Sequence, residues 1–402
     1  MEIPLKVVVT GASGYVGRNI VPLLRDQCEK LILVGRSPDK LRKIFPDLVC
    51  CTLEELSSVA HGFDSLVHLA VLNNNVDGTE ADFHKVNVDL TFETAKVAEA
   101  CKIEKFYSIS SVHVLDDQNK SPYASSKRAA VELLADLKSI EIINVYLPFV
   151  RGVKFDGKLA FLNNLPPFLA KPTQSCLLAL KPSVKAKTVA DFIFQPQSDQ
   201  DFVILSEGQT QNLAYRIIKR GLDLLFAVAV IGLLWWVLLI VWAIVKYGSP
   251  GPGIFAQERV GRYGKTFTCY KFRTMQQGTV QAGTHEVSQA SVTRIGQFLR
   301  GTKLDELPQI WNILNNEISL IGPRPGLPVQ KALFEARQAL GVFQVKPGIS
   351  GLAQVNDIDM SDPDKLAKWD ARYVALQSLS LDIGIVLATV SGRGQGDQVA
   401  KL

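Results

Sequence analysis

At 402 residues the chain is long enough for two separately cored domains, and a net charge of +5 is too modest to argue for a nucleic-acid partner. The six cysteines (28, 50, 51, 101, 176, 269) show no metal-ligand spacing and read as reduced thiols. The five histidines (61, 68, 84, 113, 285) are too scattered for a His-rich metal centre.

The chain opens on Lys6-Val7-Val8-Val9-Thr10 and runs at once into Gly11-Ala12-Ser13-Gly14-Tyr15-Val16-Gly17. That pattern is strand, tight glycine turn and helix start rather than a secretion signal, so the N-terminal half is expected in the cytosol. Backbone N–H groups at such a helix start can receive a pyrophosphate, although a plain strand-turn-helix explains a lone glycine pattern as well. Further strands are predicted at Leu31–Arg36, Leu66–Ala70 and Lys105–Ser111, with helical stretches between them, including Asn87–Cys101. The alternation predicts an α/β fold with a doubly wound parallel sheet of Rossmann type. Next come Ser111 and Tyr123-Ala124-Ser125-Ser126-Lys127. Tyr and Lys four apart share a helix face, where the cation can lower the phenol pKa and make it a proton donor or acceptor; a surface helix with an exposed Lys is the plainer reading.

Leu224–Val245 carries no charged or strongly polar side chain and includes Trp235, Trp236 and Trp242. As a helix it is long enough to cross a hydrocarbon core of roughly 30 Å. Arg216, Lys219 and Arg220 precede it; Lys246, Arg259, Arg262, Lys265, Lys271 and Arg273 follow. Positive charge on both flanks predicts that both ends lie on the cytosolic side, which calls for a re-entrant helix. Gly248-Ser249-Pro250-Gly251-Pro252-Gly253 is a turn leading into a soluble part. There Lys271-Phe272-Arg273-Thr274-Met275 is followed by a polar stretch, Gln276–Gln289, read as a mobile loop. Lys303-Leu304-Asp305-Glu306-Leu307-Pro308-Gln309, Ser319-Leu320-Ile321-Gly322-Pro323-Arg324-Pro325 and Pro347–Asn356 come next. A carboxylate nucleophile, a carboxylate for a hard metal and cations for phosphate oxygens suit phosphoryl transfer. The plain alternative is a helix start, with Thr302 and Asp305 forming a capping box. Leu366, Trp369, Tyr373 and Leu376 recur at helical spacing, and the tail from Ser391 reads as frayed.

On these motifs, residues 216–390 resemble the bacterial sugar transferases, the monotopic phosphoglycosyl transferases. The resemblance implies an α-rich catalytic domain and transfer of a phosphosugar from a UDP-sugar to undecaprenyl phosphate. It implies Asp305 as nucleophile, Glu306 as the Mg²⁺ ligand, and Lys271, Arg273, Arg300 and Arg324 facing substrate phosphate. An arginine fork suits that geometry. The sequence departs from the family at Asn316-Glu317, in place of Gly-Asp, and at Trp235-Trp236, where a helix-breaking Ser-Pro is usual.

Residues 5–205 resemble the extended short-chain dehydrogenase/reductases, most closely the nucleotide-sugar 4-keto reductases. The resemblance implies that Gly11, Gly14 and Gly17 bind dinucleotide, Tyr123 is the acid/base, Lys127 holds ribose, and Ser111 bonds the reacting oxygen. Arg36 after the second strand favours NADP(H) over NAD. The substrate lobe is shortened to Arg151-Gly152-Val153-Lys154 through Gly208. The expected organisation is residues 1–210 as an NAD(P)-binding domain, 211–250 as the membrane-associated segment, and 251–402 as the transferase domain. The expected protein is bifunctional and sits on the cytoplasmic face of the bacterial inner membrane. An epimerase or dehydratase in the first domain, or a silent dinucleotide-sensing module, is the rival reading; the oligomeric state stays open, a homo-oligomer included.

Overall fold

Alternating apolar strands and amphipathic helices build a seven-stranded parallel sheet in the N-terminal unit. The computed structural model describes residues 5–74, 76–152, 155, 157–195, 202–279 and 291–394. Val153, Lys154, Pro196, most of the Gln276–Gln289 stretch and the tail beyond Gly394 lie outside the described residues. Strands β1 (Lys6–Thr10), β2 (Lys30–Val34), β3 (Val49–Cys51), β4 (Ser65–His68), β5 (Lys105–Ser111), β6 (Glu141–Leu147) and β9 (Phe202–Ile204) lie in the order β3-β2-β1-β4-β5-β6-β9. Val7 and Val9 face one core and Val8 the other, the alternation a strand covered on both faces demands. β3 and β6 were not assigned from the sequence. Two further short strands, β7 (Phe149–Arg151) and β8 (Ser183–Lys185), pair with each other.

The chain divides into two compact units, Met1–Pro166 with Ser183–Glu207, and Pro167–Pro182 with Gly208–Leu402. The helix Pro167–Leu180, which the sequence placed in the shortened substrate lobe, thus belongs to the C-terminal unit. There Ser175 Oγ donates to Asn212 Oδ1 at 2.6 Å, Gln209 Nε2 donates to Leu178 O at 2.6 Å, and Ala179 packs on Tyr215 and Leu379.

The C-terminal unit is organised on one helix of 36 residues, Leu213–Gly248, roughly 54 Å long at 1.5 Å per residue. Asn212 caps its start by accepting from Tyr215 N. Neither Gly232 nor Trp235-Trp236 interrupts the helix, so the backbone break usual in a re-entrant hairpin is absent. With no proline, every N–H in the segment can still reach its i−4 carbonyl.

Both flanks of the helix nevertheless pack on the same unit. Toward its start, Lys219 pairs with Asp382 at 2.8 Å, and Asp223 accepts from Ser319 Oγ and Leu320 N. Ala227 and Val230 then pack on Ile310, Ile313 and Ile318. Toward its end, Val241 and Val245 pack on Phe272 and Leu299. Between the flanks, Ile231–Trp236 is exposed throughout, with Trp235 and Trp236 at 56% and 52%. Apolar side chains exposed on all sides need a non-aqueous neighbour.

The remaining elements of this unit are small. β10 (Ile254–Val260) and β11 (Thr266–Phe272) form an antiparallel hairpin; β12 (Ser319–Ile321) and β13 (Gly348–Ser350) pair in parallel. The helices Lys331–Ala339 and Pro363–Leu376 are pinned together by Arg337 and Asp370 at 2.6 Å, both 2% exposed. Leu366 and Tyr373 are buried, as their helical spacing anticipated.

Because both flanks rest on one body, the two ends of the long helix should lie on one side of a membrane. Single cysteines at Gln211 and Gln276, in a background without native cysteine, should respond alike to a membrane-impermeant thiol reagent in spheroplasts. Labelling of one and protection of the other would show a crossing.

Candidate functional site

The helix Arg294–Thr302 ends where Lys303 enters the left-handed region at φ 58°, and a 3₁₀ helix, Leu304–Gln309, follows. Pro308 lacks the N–H that an α-helix would use there, which favours the tighter turn. Thr302 Oγ1 donates back to Phe298 O and Leu299 O, so the capping box with Asp305 does not form. Leu304 and Leu307 pack into clusters with the long helix, and Asp305 and Glu306 stand between them.

Asp305 is 8% exposed and makes no hydrogen bond or ion pair among the described residues. Burial pushes its pKa up to about 6, against Lys271, Arg300 and Arg324, which pull it down, while Glu306 adds to the rise. A buried carboxylate that spends no lone pair on a partner is suited to attack. Glu306, by contrast, accepts from Lys271 Nζ at 2.7 Å and lies 3.5 Å from Arg324 Nη2. Arg300 is held by its Nε donating to Thr274 Oγ1 at 3.0 Å. Lys271, Glu306 and Arg324 line one pocket with Arg259, Cys269, Gln309 and Gly348. Two adjacent carboxylates beside such a pocket fit a Mg²⁺ that takes its other ligands from substrate phosphates. Among the described residues no group of three or more His, Cys, Asp or Glu could hold a metal unaided.

Arg273 does not join these cations. Its Nε donates to Pro252 O, its Nη1 to Ser249 Oγ and Pro250 O, and its Nη2 to Val245 O and Ser249 O. Five donors are consumed in closing the end of the long helix and the turn after it, where orphan carbonyls would otherwise be buried. The phosphate-facing role expected of Arg273 is therefore replaced by a structural one. Sequence reading also missed Arg259, held by Gln257 Oε1 and Pro325 O, and Asn312, which is fully buried. Asn312 donates to Thr268 O and Glu317 Oε2 and accepts from Tyr270 N. Glu317, the departure from the family's Asp, thus serves to hold Asn312.

In the N-terminal unit the glycine loop closes tightly. Gly11 has φ 68°, and a Cβ there would lie 2.5 Å from Ala70 N. A Cβ on Gly17 would lie 2.5 Å from Ala12 Cα, so helix and loop touch. Gly14 caps the helix Tyr15–Arg25 with no side-chain bond, and a Cβ there would meet only Gly11 O at 3.3 Å. Open space before uncapped N–H groups fits a pyrophosphate, and the exposed Arg36 just beyond β2 fits a further phosphate.

Ser111 Oγ accepts from His113 N at 3.4 Å. Lys127 is buried, its Nζ donating to Ile109 O at 3.3 Å, and burial lowers its pKa to about 8. The phenol of Tyr123 is pushed up by burial, with the nearby Ser111 hydroxyl opposing. The lowering by Lys127 expected from sequence is not what this environment produces. Two residues unsingled by sequence complete the setting. Asn87, in a π-turn Lys85–Asp89, exchanges hydrogen bonds with Leu72 N and O and donates to Ser126 Oγ. His68, between Thr10 and Thr91, is held neutral, its pKa lowered to about 3 by burial and by Lys127.

Residues 214–394 match the model described as bacterial sugar transferase, and residues 7–160 match that of the NAD dependent epimerase/dehydratase family. Over 183 residues the chain is 39% identical to a UDP-N-acetylgalactosamine-undecaprenyl-phosphate N-acetylgalactosaminephosphotransferase of Aeromonas hydrophila, covering 44% of this chain and 43% of that protein. It is 33% identical to the UDP-glucose:undecaprenyl-phosphate glucose-1-phosphate transferase of Escherichia coli (strain K12), covering 64% of this chain and 56% of that one. It is 37% identical to the uncharacterized sugar transferase EpsL of Bacillus subtilis (strain 168), covering 43% of this chain and 86% of EpsL. The chain belongs to the bacterial sugar transferase family, and it spans about half the length of the first two relatives. Among solved structures it is similar to the UDP-N-acetylglucosamine 4-epimerase of Bacillus cereus, at 19% identity and a TM-score of 0.38, covering 51% of this chain and 78% of that one.

Arg273→Met should lower the midpoint of thermal unfolding by several degrees, as about 2–4 kcal/mol of buried carbonyl partners is lost. Arg324→Met should lower that midpoint by less than Arg273→Met does while abolishing transfer, since the Glu306 oxygen it faces at 3.5 Å keeps Lys271 as a partner. Equal loss of stability in both, read by calorimetry, would refute the division of roles.

Proposed function

We propose that the C-terminal unit transfers a phosphosugar from a UDP-sugar to undecaprenyl phosphate. The observation that carries this is Asp305, buried and unpartnered, beside a pocket lined by Lys271, Glu306 and Arg324. A carboxylate oxygen of Asp305 attacks the sugar-bearing phosphorus. The phosphoanhydride bond breaks, and UMP leaves with the bonding pair. The phosphosugar stays on Asp305 as an acyl phosphate until an oxygen of the lipid phosphate attacks phosphorus and returns the carboxylate. Lys271, Arg300 and Arg324 offset the charge that develops on the phosphate oxygens. Mg²⁺, held by Glu306, would supply further neutralisation of the diphosphate when bound. The relatives named above for undecaprenyl-phosphate transfer support this reading. The long helix would place the unit at the cytoplasmic face of the inner membrane, where UDP-sugars are found.

In the N-terminal unit we propose a nucleotide-sugar 4-keto reductase using NADP(H). The cofactor, when bound, supplies hydride to the C4 carbon. Gly11, Gly14 and Gly17 shape the pyrophosphate seat, Arg36 takes the 2′-phosphate and Lys127 the ribose. Ser111 holds the ketone oxygen, and the Tyr123 phenol gives it a proton. An epimerase or dehydratase would use the same residues. A catalytically silent dinucleotide sensor is favoured by one observation, the membership of Pro167–Pro182 in the other unit, which depletes the substrate lobe.

Sugar-labelled UDP-sugar should leave label on the wild-type protein and none on Asp305→Asn. Tyr123→Phe should stop NADPH oxidation by a 4-keto UDP-sugar while transfer of a finished sugar persists. Lipid product from pure Asp305→Asn, or NADPH oxidation unchanged in Tyr123→Phe, would overturn the respective assignment.

The rate of label capture in a single turnover should fall as pH drops through about 6, where Asp305 gains its proton. Lys271→Met removes a charge that lowers the Asp305 pKa, so this acid limb should move to higher pH. A limb that stays put or moves down would refute Asp305 as the titrating group.

A further inference from the structure

Three cations at the foot of the long helix take no part in the chemistry above. Arg220 Nη1 and Nη2 donate to the carbonyls of Ile313 and Leu314 at 2.7 and 3.2 Å. Lys346 Nζ donates to Asn316 Oδ1, two residues further along the same turn. Arg262 Nε donates to Gln344 O at 2.8 Å, two residues before Lys346. The long helix, the β10–β11 turn and the segment before β13 thus deliver three positive side chains to one place.

All three bond neutral oxygens, and among the described residues none has a carboxylate at ion-pairing distance. The nearby acids are committed elsewhere. Asp382 takes Lys219 at 2.8 Å, and Asp223 accepts from Ser319 Oγ and Leu320 N. Burial, then Arg220, with Arg262 and Lys219 adding to it and Asp223 opposing, lowers the Lys346 pKa to about 8. Like charges held together by the fold are costly unless an anion offsets them. None of the three lines the transfer pocket. Between Arg220 and the exposed stretch Ile231–Trp236 the helix exposes Leu222, Leu225 and Val228, at 42%, 65% and 61%. A ligand that is anionic at one end and apolar at the other matches both surfaces.

We propose that Arg220, Lys346 and Arg262 form a binding site for the phosphate of an anionic phospholipid headgroup, apart from the transfer pocket, with the acyl chains lying along the exposed face of the long helix. Arginine forks and an ammonium suit a phosphodiester, and a juxtamembrane basic cluster gains affinity from each charge it presents. The inference rests on insertion of the long helix in a bilayer.

The test uses the full chain and vesicles of phosphatidylcholine alone or of an equal mixture with phosphatidylglycerol. Wild type should bind both and prefer the mixture. At about fivefold per charge, the double variant Lys346→Gln, Arg262→Gln should lose roughly 30-fold of that preference and keep its affinity for neutral vesicles. Lys346→Arg with Arg262→Lys, which keeps the charges, should retain the preference. Exposed Lys331→Gln with Lys365→Gln should change it much less. An equal loss in that control, or no loss in the double variant, would overturn the site. Reversal of the preference by millimolar inorganic phosphate would replace the lipid with a soluble anion and overturn the lipid assignment. Failure to bind neutral vesicles would instead strike at insertion of the helix, and so be told apart from failure of the cluster.

Discussion

Leu304 and Leu307 are the contacts on which the C-terminal unit turns. They bury themselves in the clusters built around Leu238, Val241 and Val230 of the long helix, and the two acids between them are carried to the opposite side of the same 3₁₀ turn. A turn with three residues per revolution places positions 304 and 307 on one edge, so the apolar pair and the acidic pair separate cleanly. The apolar contact fixes the acids and leaves the Asp305 carboxylate unspent on structure. Lys271, on the strand whose neighbour Phe272 packs on the same helix, is brought to Glu306 by the same burial. The position of the site thus follows from hydrophobic packing, and its charge pattern from which residues that packing leaves over.

The two arginines nearest in motif, Arg273 and Arg324, show how identical side chains diverge. Arg273 faces the end of a 36-residue helix, where carbonyls lack N–H partners, and it satisfies several of them at once. Arg324 follows β12 into the pocket and meets Glu306. Local sequence does not distinguish a guanidinium that will meet carbonyls from one that will meet a carboxylate. That depends on which chain end arrives beside it.

This marks the limit of what the sequence made legible. The parallel sheet was readable because a strand buried on both faces is an unbroken apolar run, as at Val7–Val9 and Leu31–Val34. β3 and β6 escaped because Val49–Cys51 is too short to show a pattern and Glu141–Leu147 mixes Asn144 and Tyr146 into its run. Asp305 and Glu306 were legible from the motif around them. Asn312, Asn87 and His68 were not, because each works by hydrogen bonds to backbone or side chains distant in sequence, such as Asn312 with Thr268 and His68 with Thr10. The fate of Pro167–Pro182 was invisible for a related reason: membership in a unit is decided by partners such as Asn212 and Tyr215, far along the chain.

The unbroken long helix is constrained by its neighbours at both ends. A straight crossing would carry one flank through the hydrocarbon, yet each flank is tied to charged or polar groups of one body. Lys219 and Asp223 hold the first, and the carbonyls of Val245 and Ser249, bonded by Arg273, hold the second. Burying such groups in lipid costs several kcal/mol each. The stretch that can enter lipid without that cost is Ile231–Trp236, exposed all round and ending in two tryptophans suited to an interface. Leu238, just past that stretch, packs against the same two apolar clusters as Leu307. The 3₁₀ turn that carries Asp305 is thereby tied to the part of the helix next to that stretch, so the depth at which the helix sits sets the depth of Asp305.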